Sequence, residues 1–254
     1  MITVVILGAG NVAQHLYTAF RNQKSTEVVQ CYNRKGILIH KDQKKTSITD
    51  SLNNLKKADL YILAISDDAI EKVSKKLPFN NRLVVHTSGS VPIAAIDDKN
   101  ARGVFYPLQT FSATKKVDFS NIPFCIEADY EKDKQILRNI ASQLSKRIYD
   151  INSNQRNVLH VAAVFVNNFT NYMFSVGDEI CKENEVPFEI LHPLIQETAK
   201  KITEIEPQSA QTGPAIRKDY QTIERHLKIL KDSSQKELYK TLTKAIQSKY
   251  GKEL

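Results

Sequence analysis

Cysteine is scarce. The 254 residues hold three, Cys31, Cys125 and Cys181, an odd number at wide spacings. They offer neither the pairing of a disulfide framework nor the close repeats of a zinc site, so no metal centre is expected and the expected compartment is a reducing cytoplasm. Long apolar runs are missing as well. The strongly apolar stretch 161–166 falls far short of the roughly 20 residues that cross a bilayer, so no membrane segment is expected. The apolar start at 1–7 follows no basic residue and runs straight into glycine, which reads as a buried strand rather than a signal segment. Aromatics interleaved with cations are also lacking. The net charge of +8 arises from lysines in scattered pairs, such as Lys56 with Lys57 and Lys200 with Lys201. That pattern describes a solvated basic surface and argues against a nucleic-acid groove.

Apolar residues make up 41% of the chain, ample material for a core. Short β-rich runs at 2–7, 28–32, 60–65, 83–86 and 103–106 alternate with helical patterns, which predicts an α/β domain with a parallel sheet and crossover helices. Val12, Ala13, Leu16, Ala19 and Phe20 form a one-sided stripe that can pack on that sheet. A second stripe, Ile136, Leu137, Ile140, Ala141 and Leu144, lies between the runs 122–126 and 147–151. After Asn152 the strands stop. Stripes such as Leu191, Ile195, Ile202 and Ile205, then Ile216, Tyr220, Ile223 and Leu227, predict helices separated by a loop at 207–214. The expected organisation is a nucleotide-binding domain over 1–152 and an all-helical domain over 153–254.

Gly8-Ala9-Gly10-Asn11-Val12-Ala13 follows one predicted strand and opens a helix, the context that gives G-x-G-x-x-A its meaning. Gly8 makes the tight turn, Gly10 lets the backbone approach a diphosphate, and Ala13 lets the helix pack closely, while the helix start supplies free N–H groups. A dinucleotide is the implied ligand. An acidic residue at the end of the second strand would bind the ribose hydroxyl of NAD, but the sequence there is Tyr32-Asn33-Arg34-Lys35. Cations in place of a carboxylate favour the 2′-phosphate of NADP. Ser66, Asp67 and Thr87, which follow the next strands, complete the expected cofactor contacts.

Ligands of open α/β sheets sit beyond the carboxyl ends of the strands, which makes His86 and Ser88 of the His86-Thr87-Ser88-Gly89-Ser90 segment candidates for the reaction centre. The same segment could equally cap a helix starting near Pro92. The pattern 153–183 reads as one long helix, apolar nearly all round and therefore buried, with His160, Asn167, Asn171 and Asp178 in a narrow arc and Asn168 beside it. Such a polar stripe must meet partners or line a wet cleft. His160, Asn167 and Asn168 are accordingly candidate catalytic residues, and Arg217 is either a clamp for a substrate carboxylate or, at least as readily, an exposed arginine at a helix start.

The chain resembles the superfamily that joins a Rossmann domain to a 6-phosphogluconate-dehydrogenase-like helical domain, including β-hydroxyacid dehydrogenases and pyrroline-carboxylate reductase. The blocks at 86–92, 106–112, 159–171 and 211–227 more closely resemble Rossmann-like proteins ending in a domain of unknown function, described as NADP- or deazaflavin-coenzyme-dependent oxidoreductases. The resemblance implies an NADP-binding domain, a helical domain that forms a homodimer, and a small-molecule substrate held between domains. It also exposes a departure. β-Hydroxyacid dehydrogenases carry a lysine four residues before the asparagine of their central helix, whereas Ala163 and Val164 stand four before Asn167 and Asn168 here. If protons are delivered, His160 is the best-placed donor and His86 the second. The missing lysine leaves open a non-catalytic NADP-binding sensor or scaffold.

Overall fold

The computed structural model describes residues 1–40, 43 and 46–250. The chain packs as two units, Met1–Ala163 and Val164–Leu254. In the first, β1 (Ile2–Leu7), β2 (Thr26–Tyr32), β3 (Ser47–Thr49), β4 (Leu60–Leu63), β5 (Leu83–His86), β6 (Ala101–Pro107), β7 (Phe124–Ala128) and β8 (Ile148–Asp150) form one sheet in the order 3-2-1-4-5-6-7-8. Four helices accompany it: α1 (Asn11–Phe20), α2 (Asp67–Lys75), α3 (Glu131–Ser142) and α4 (Ser153–Ala163). β4 and β5 are buried along their whole length, as short apolar runs between two covered sheet faces must be. On one face Leu16 and Phe20 of α1 and Leu137 and Ile140 of α3 pack with Val4 and Ile6. On the other, Ile70 of α2 packs with Val5, Leu7, Tyr61 and Leu63. The strand order reverses between β1 and β4, so the loops after these strands diverge and open a crevice at their carboxyl ends.

The parallel sheet expected from the alternating pattern holds from β1 to β6, but β7 runs antiparallel to β6, with Tyr106 opposite Cys125. A parallel return needs a crossover, usually a helix. Between these strands lies only the single turn Phe119–Asn121. The edge strand β3 was not expected, because its three residues are too few to show alternation. A helix beginning near Pro92 is reduced to one turn, Ile93–Ala95.

The long helix expected over 153–183 is interrupted. A π-helical turn, Val164–Phe169, separates α4 from α5 (Thr170–Glu183). Its wider turn breaks the spacing of 100° per residue on which the single polar arc from His160 to Asp178 rested. Nor is this helix buried in the chain, where Val158, Phe165 and Val166 are 72%, 63% and 71% exposed.

In the second unit α5 is followed by α6 (His192–Glu204), α7 (Pro207–Ala210), α8 (Tyr220–Ile229) and α9 (Ser233–Tyr250). The expected loop at 207–214 begins with the short helix α7, for which Pro207 supplies a first residue that needs no N–H. Asp219 caps α8 by accepting from the Thr222 N–H at 3.0 Å. His226 Nδ1 and the Tyr239 hydroxyl meet at 2.8 Å and join α8 to α9. Among the described residues no helix is long and apolar enough to cross a membrane.

Candidate functional site

The crevice after β1 and β4 is a cavity of about 1050 Å³. Its floor is the glycine turn. Gly8 sits at φ +140°, and a Cβ there would lie 2.0 Å from the Ala64 carbonyl oxygen, so the turn and the neighbouring strand exclude any other residue. A Cβ on Gly10 would meet no atom within 4 Å, which leaves open space beside the first N–H groups of α1. These are the conditions under which a diphosphate fits a helix start. Gly8, Gly10, Asn11 and Val12 line the cavity, while Ala13 is fully buried behind them against the core, the packing role expected of it. The Asn11 amide donates to the Phe111 carbonyl at 2.9 Å and His15 Nε2 to that of Ser112 at 2.9 Å. Asn11 thus fastens the 108–112 segment, whose Gln109 and Phe111 also line the cavity.

Arg34 and Lys35 are exposed at the centre of a four-residue turn, closed by the Gly36 N–H on the Asn33 carbonyl at 3.0 Å. Asn33 borders the cavity, but its side chain is engaged otherwise than expected. It donates to the Ile37 carbonyl at 2.7 Å and accepts from the N–H groups of Lys35 and Ile37. An asparagine that satisfies its own turn holds Arg34 and Lys35 in place. Two further cations, Lys72 and Lys76, line the same cavity from α2 and the residue after it. Sequence reasoning passed over them, although lysines four apart on a helix share one face. No carboxylate appears among the described lining residues. Ser66 and Thr87 line the cavity too, whereas Asp67 does not, its carboxylate accepting from the Ser90 hydroxyl at 2.7 Å.

His86 and Ser88 are not where a reacting group must be. The His86 ring is fully buried, and its Nδ1 accepts from the Ser88 N–H at 3.2 Å. The Ser88 hydroxyl accepts from the N–H groups of Ser90 and Val91 at 3.2 and 3.1 Å, closing the turn. Both residues shape the loop after β5. Burial, together with the nearby Arg156 guanidinium, pushes the His86 pKa from 6.5 down to about 4. The unfolded chain therefore takes up the proton first. Stability is full above pH 6.5 and falls, by roughly 3 kcal/mol, as the pH drops towards 4. Urea melts at pH 7 and pH 4.5 should show this loss, and His86→Gln should reduce it; an unchanged pH slope in the variant would reject the assignment.

Arg156, at the start of α4, escaped notice because a charge in an amphipathic pattern reads as surface. It is 1% exposed. Its guanidinium pairs with Glu127 of β7 at 2.5 Å and donates to the Val91 carbonyl at 2.6 Å. The Ser153 hydroxyl donates to the same carboxylate at 2.8 Å and accepts from the Ile93 N–H at 2.9 Å. A buried charge requires such partners. Together they anchor α4 to β7 and to the loop after β5.

One helical turn after Arg156 comes His160. Its Nδ1 lies 3.3 Å from the Tyr106 hydroxyl of β6, and the rings meet edge-on at 6.3 Å. Gly89 packs against both. A Cβ on Gly89 would be 2.5 Å from His160 Nδ1 and 2.9 Å from Tyr106 Cζ. Tyr106, His160 and Gly89 meet close in sequence to the cavity residues Thr87 and Gln109, and burial pushes the phenol up to about 12. Asn167 and Asn168 lie in the π turn and Arg217 precedes α8. All three belong to the second unit and are exposed, with no side-chain hydrogen bond among the described residues.

A solved structure of a candidate NADP oxidoreductase from Bacteroides fragilis is 39% identical, over 97% of this chain and 98% of that one, with a TM-score of 0.84. The chain belongs to that protein's family. A family described as a domain of unknown function (DUF2520) matches residues 122–246 of this family member. A protein from Thermotoga maritima is 19% identical, with a TM-score of 0.73 over 98% of this chain and 99% of that one. Pyrroline carboxylate reductase from Plasmodium falciparum, solved with NADP bound, is 13% identical with a TM-score of 0.63, over 98% and 97% of the two chains. At these identities the likeness is one of fold: a Rossmann-like sheet followed by helices. No curated protein matches the chain in sequence.

Proposed function

We propose that this chain is an NADP(H)-dependent oxidoreductase acting on a small carbonyl, imine or related substrate. The observation that carries the reading is the cavity, which combines the Gly8 turn, the start of α1 and four cations with no described carboxylate among its lining residues. NADP, when bound, supplies the hydride chemistry. The chain supplies the rest. Arg34 and Lys35, with Lys72 and Lys76, would hold the 2′-phosphate, a guanidinium and ammonium groups being the donors that recognise it. His160 would deliver the proton to the heteroatom of the substrate. Asn167, Asn168 and Arg217 are proposed as substrate-side polar groups, since all three are exposed and their side chains make no hydrogen bond among the described residues. The test is NADPH consumption against a panel of small aldehydes, ketones and cyclic imines. Turnover with members of the panel is expected, and tight NADPH binding with none would favour the sensor reading.

The protein is also proposed to be a cytoplasmic homodimer paired through its second unit. Its three cysteines are unpaired thiols. Phe165, Val166, Ile190 and Leu194 of that unit are all more than 60% exposed, apolar area that a second copy would remove from water. Light scattering at micromolar concentration should give twice the chain mass of 28.8 kDa; a monomer would remove the proposal.

A further inference from the structure

The Tyr106–His160 contact places a demand on the imidazole that the proposed activity alone does not. A histidine can present either ring nitrogen to a substrate, and in its neutral form one nitrogen donates while the other accepts. Here the two edges of the ring differ. Nδ1 is enclosed by Gly89 and the Tyr106 hydroxyl. Nε2 is left without a protein partner among the described residues and is not one of the buried polar side-chain atoms that lack one.

We propose that Tyr106 is a positioning residue that fixes His160 as a hydrogen-bond donor at Nε2, and that this suits the site to reduction of a C=O or C=N bond. The inference rests on the oxidoreductase reading and adds to it a direction and an atom. Tyr106 is a phenol at neutral pH, and burial pushes its pKa further up, to about 12. Its O–H needs an acceptor, and its hydrogen-bond partner in the structure is Nδ1 of His160. A neutral imidazole that accepts at Nδ1 must carry its proton at Nε2. In the imidazolium both nitrogens donate, Nδ1–H to the tyrosine oxygen and Nε2–H outward. The group facing the substrate is therefore a donor in either charge state.

Such a donor serves one direction better than the other. When hydride adds to the substrate carbon, the two electrons of the π bond move to oxygen or nitrogen, and Nε2–H stabilises that growing charge. The imidazolium then breaks its Nε2–H bond to form the O–H or N–H bond of the alcohol or amine and is left neutral. Oxidation would need a lone pair at Nε2 to take a proton, and the resting neutral tautomer has none there. Gly89 belongs to the same device, because a methyl group at that position would occupy the space in which Nδ1 and the phenol meet.

The tautomer can be read without a substrate. Long-range ¹H–¹⁵N spectra of protein labelled in its six histidines, with His160→Gln to assign the signals, report which nitrogen is protonated once the ring is neutral. Wild type should show Nε2–H. Tyr106→Phe removes one hydrogen bond, so the ratio of Nε2–H to Nδ1–H should fall by roughly five- to tenfold. Gly89→Ala should lower it as well and serves where the tyrosine variant does not fold. Predominant Nδ1–H in the wild type, or a ratio unchanged in the variants, would overturn the proposal. NADPH titrated into the same sample separates the two readings: binding with the wrong tautomer defeats only the role of Tyr106, and the right tautomer without binding defeats the oxidoreductase reading.

Discussion

His160→Asn should lower turnover by about 10²- to 10⁴-fold, roughly 3 to 5 kcal/mol of barrier, while the melting temperature stays nearly unchanged. Asparagine keeps an acceptor oxygen near the position of Nδ1, so the Tyr106 hydroxyl retains a partner and the packing against Gly89 survives. What disappears is the outward-facing Nε2–H. The imidazole is half-buried, so the substitution leaves no enclosed polar atom without a partner. A structural histidine would respond in the opposite way. Its loss would destabilise the protein by about 1 to 3 kcal/mol and leave turnover per folded molecule near normal. Measuring kcat on a reducible member of the panel alongside the thermal transition distinguishes the two, and NADPH affinity shows whether the nucleotide site has been disturbed.

The parts legible in the sequence are those in which local chemistry and fold coincide. The turn of Gly8 and Gly10 between a strand and a helix could be read because the turn, the helix start and the close packing of Ala13 all occur within six residues. The place of Arg34 and Lys35, exposed just after β2, was legible for the same reason. What could not be read was set by partners distant in sequence. Nothing in the run 122–126 shows that β7 turns back against β6, since alternation carries no strand direction. Arg156 looked like surface until Glu127 and the Val91 carbonyl arrived from other elements to bury it. Tyr106 was visible only as the first residue of the 106–112 block; its meeting with His160 spans 54 positions in the chain and depends on the missing side chain of Gly89. The π turn undid an argument from helical spacing, because the angle per residue is not constant through 164–169. Asn33 and Ser88 were the right kind of residue in the right place, but each satisfies its own turn.

The cavity itself is tested most directly by titrating NADPH and NADH, each followed by nucleotide fluorescence. They differ by one phosphate. Arg34 and Lys35 are exposed at the turn after β2, Lys72 and Lys76 border the same space, and no described carboxylate lines it to repel the added charge. A charge-assisted hydrogen bond contributes about 1.5 to 3 kcal/mol, so two such contacts correspond to a preference on the order of 100-fold or more. Arg34→Ala should remove roughly tenfold or more of that preference by weakening NADPH and leaving NADH nearly unchanged. A preference for NADPH that collapses in this variant is the result expected of an NADP(H)-dependent enzyme; equal affinities for the two nucleotides, or a preference that Arg34→Ala does not alter, would contradict the account.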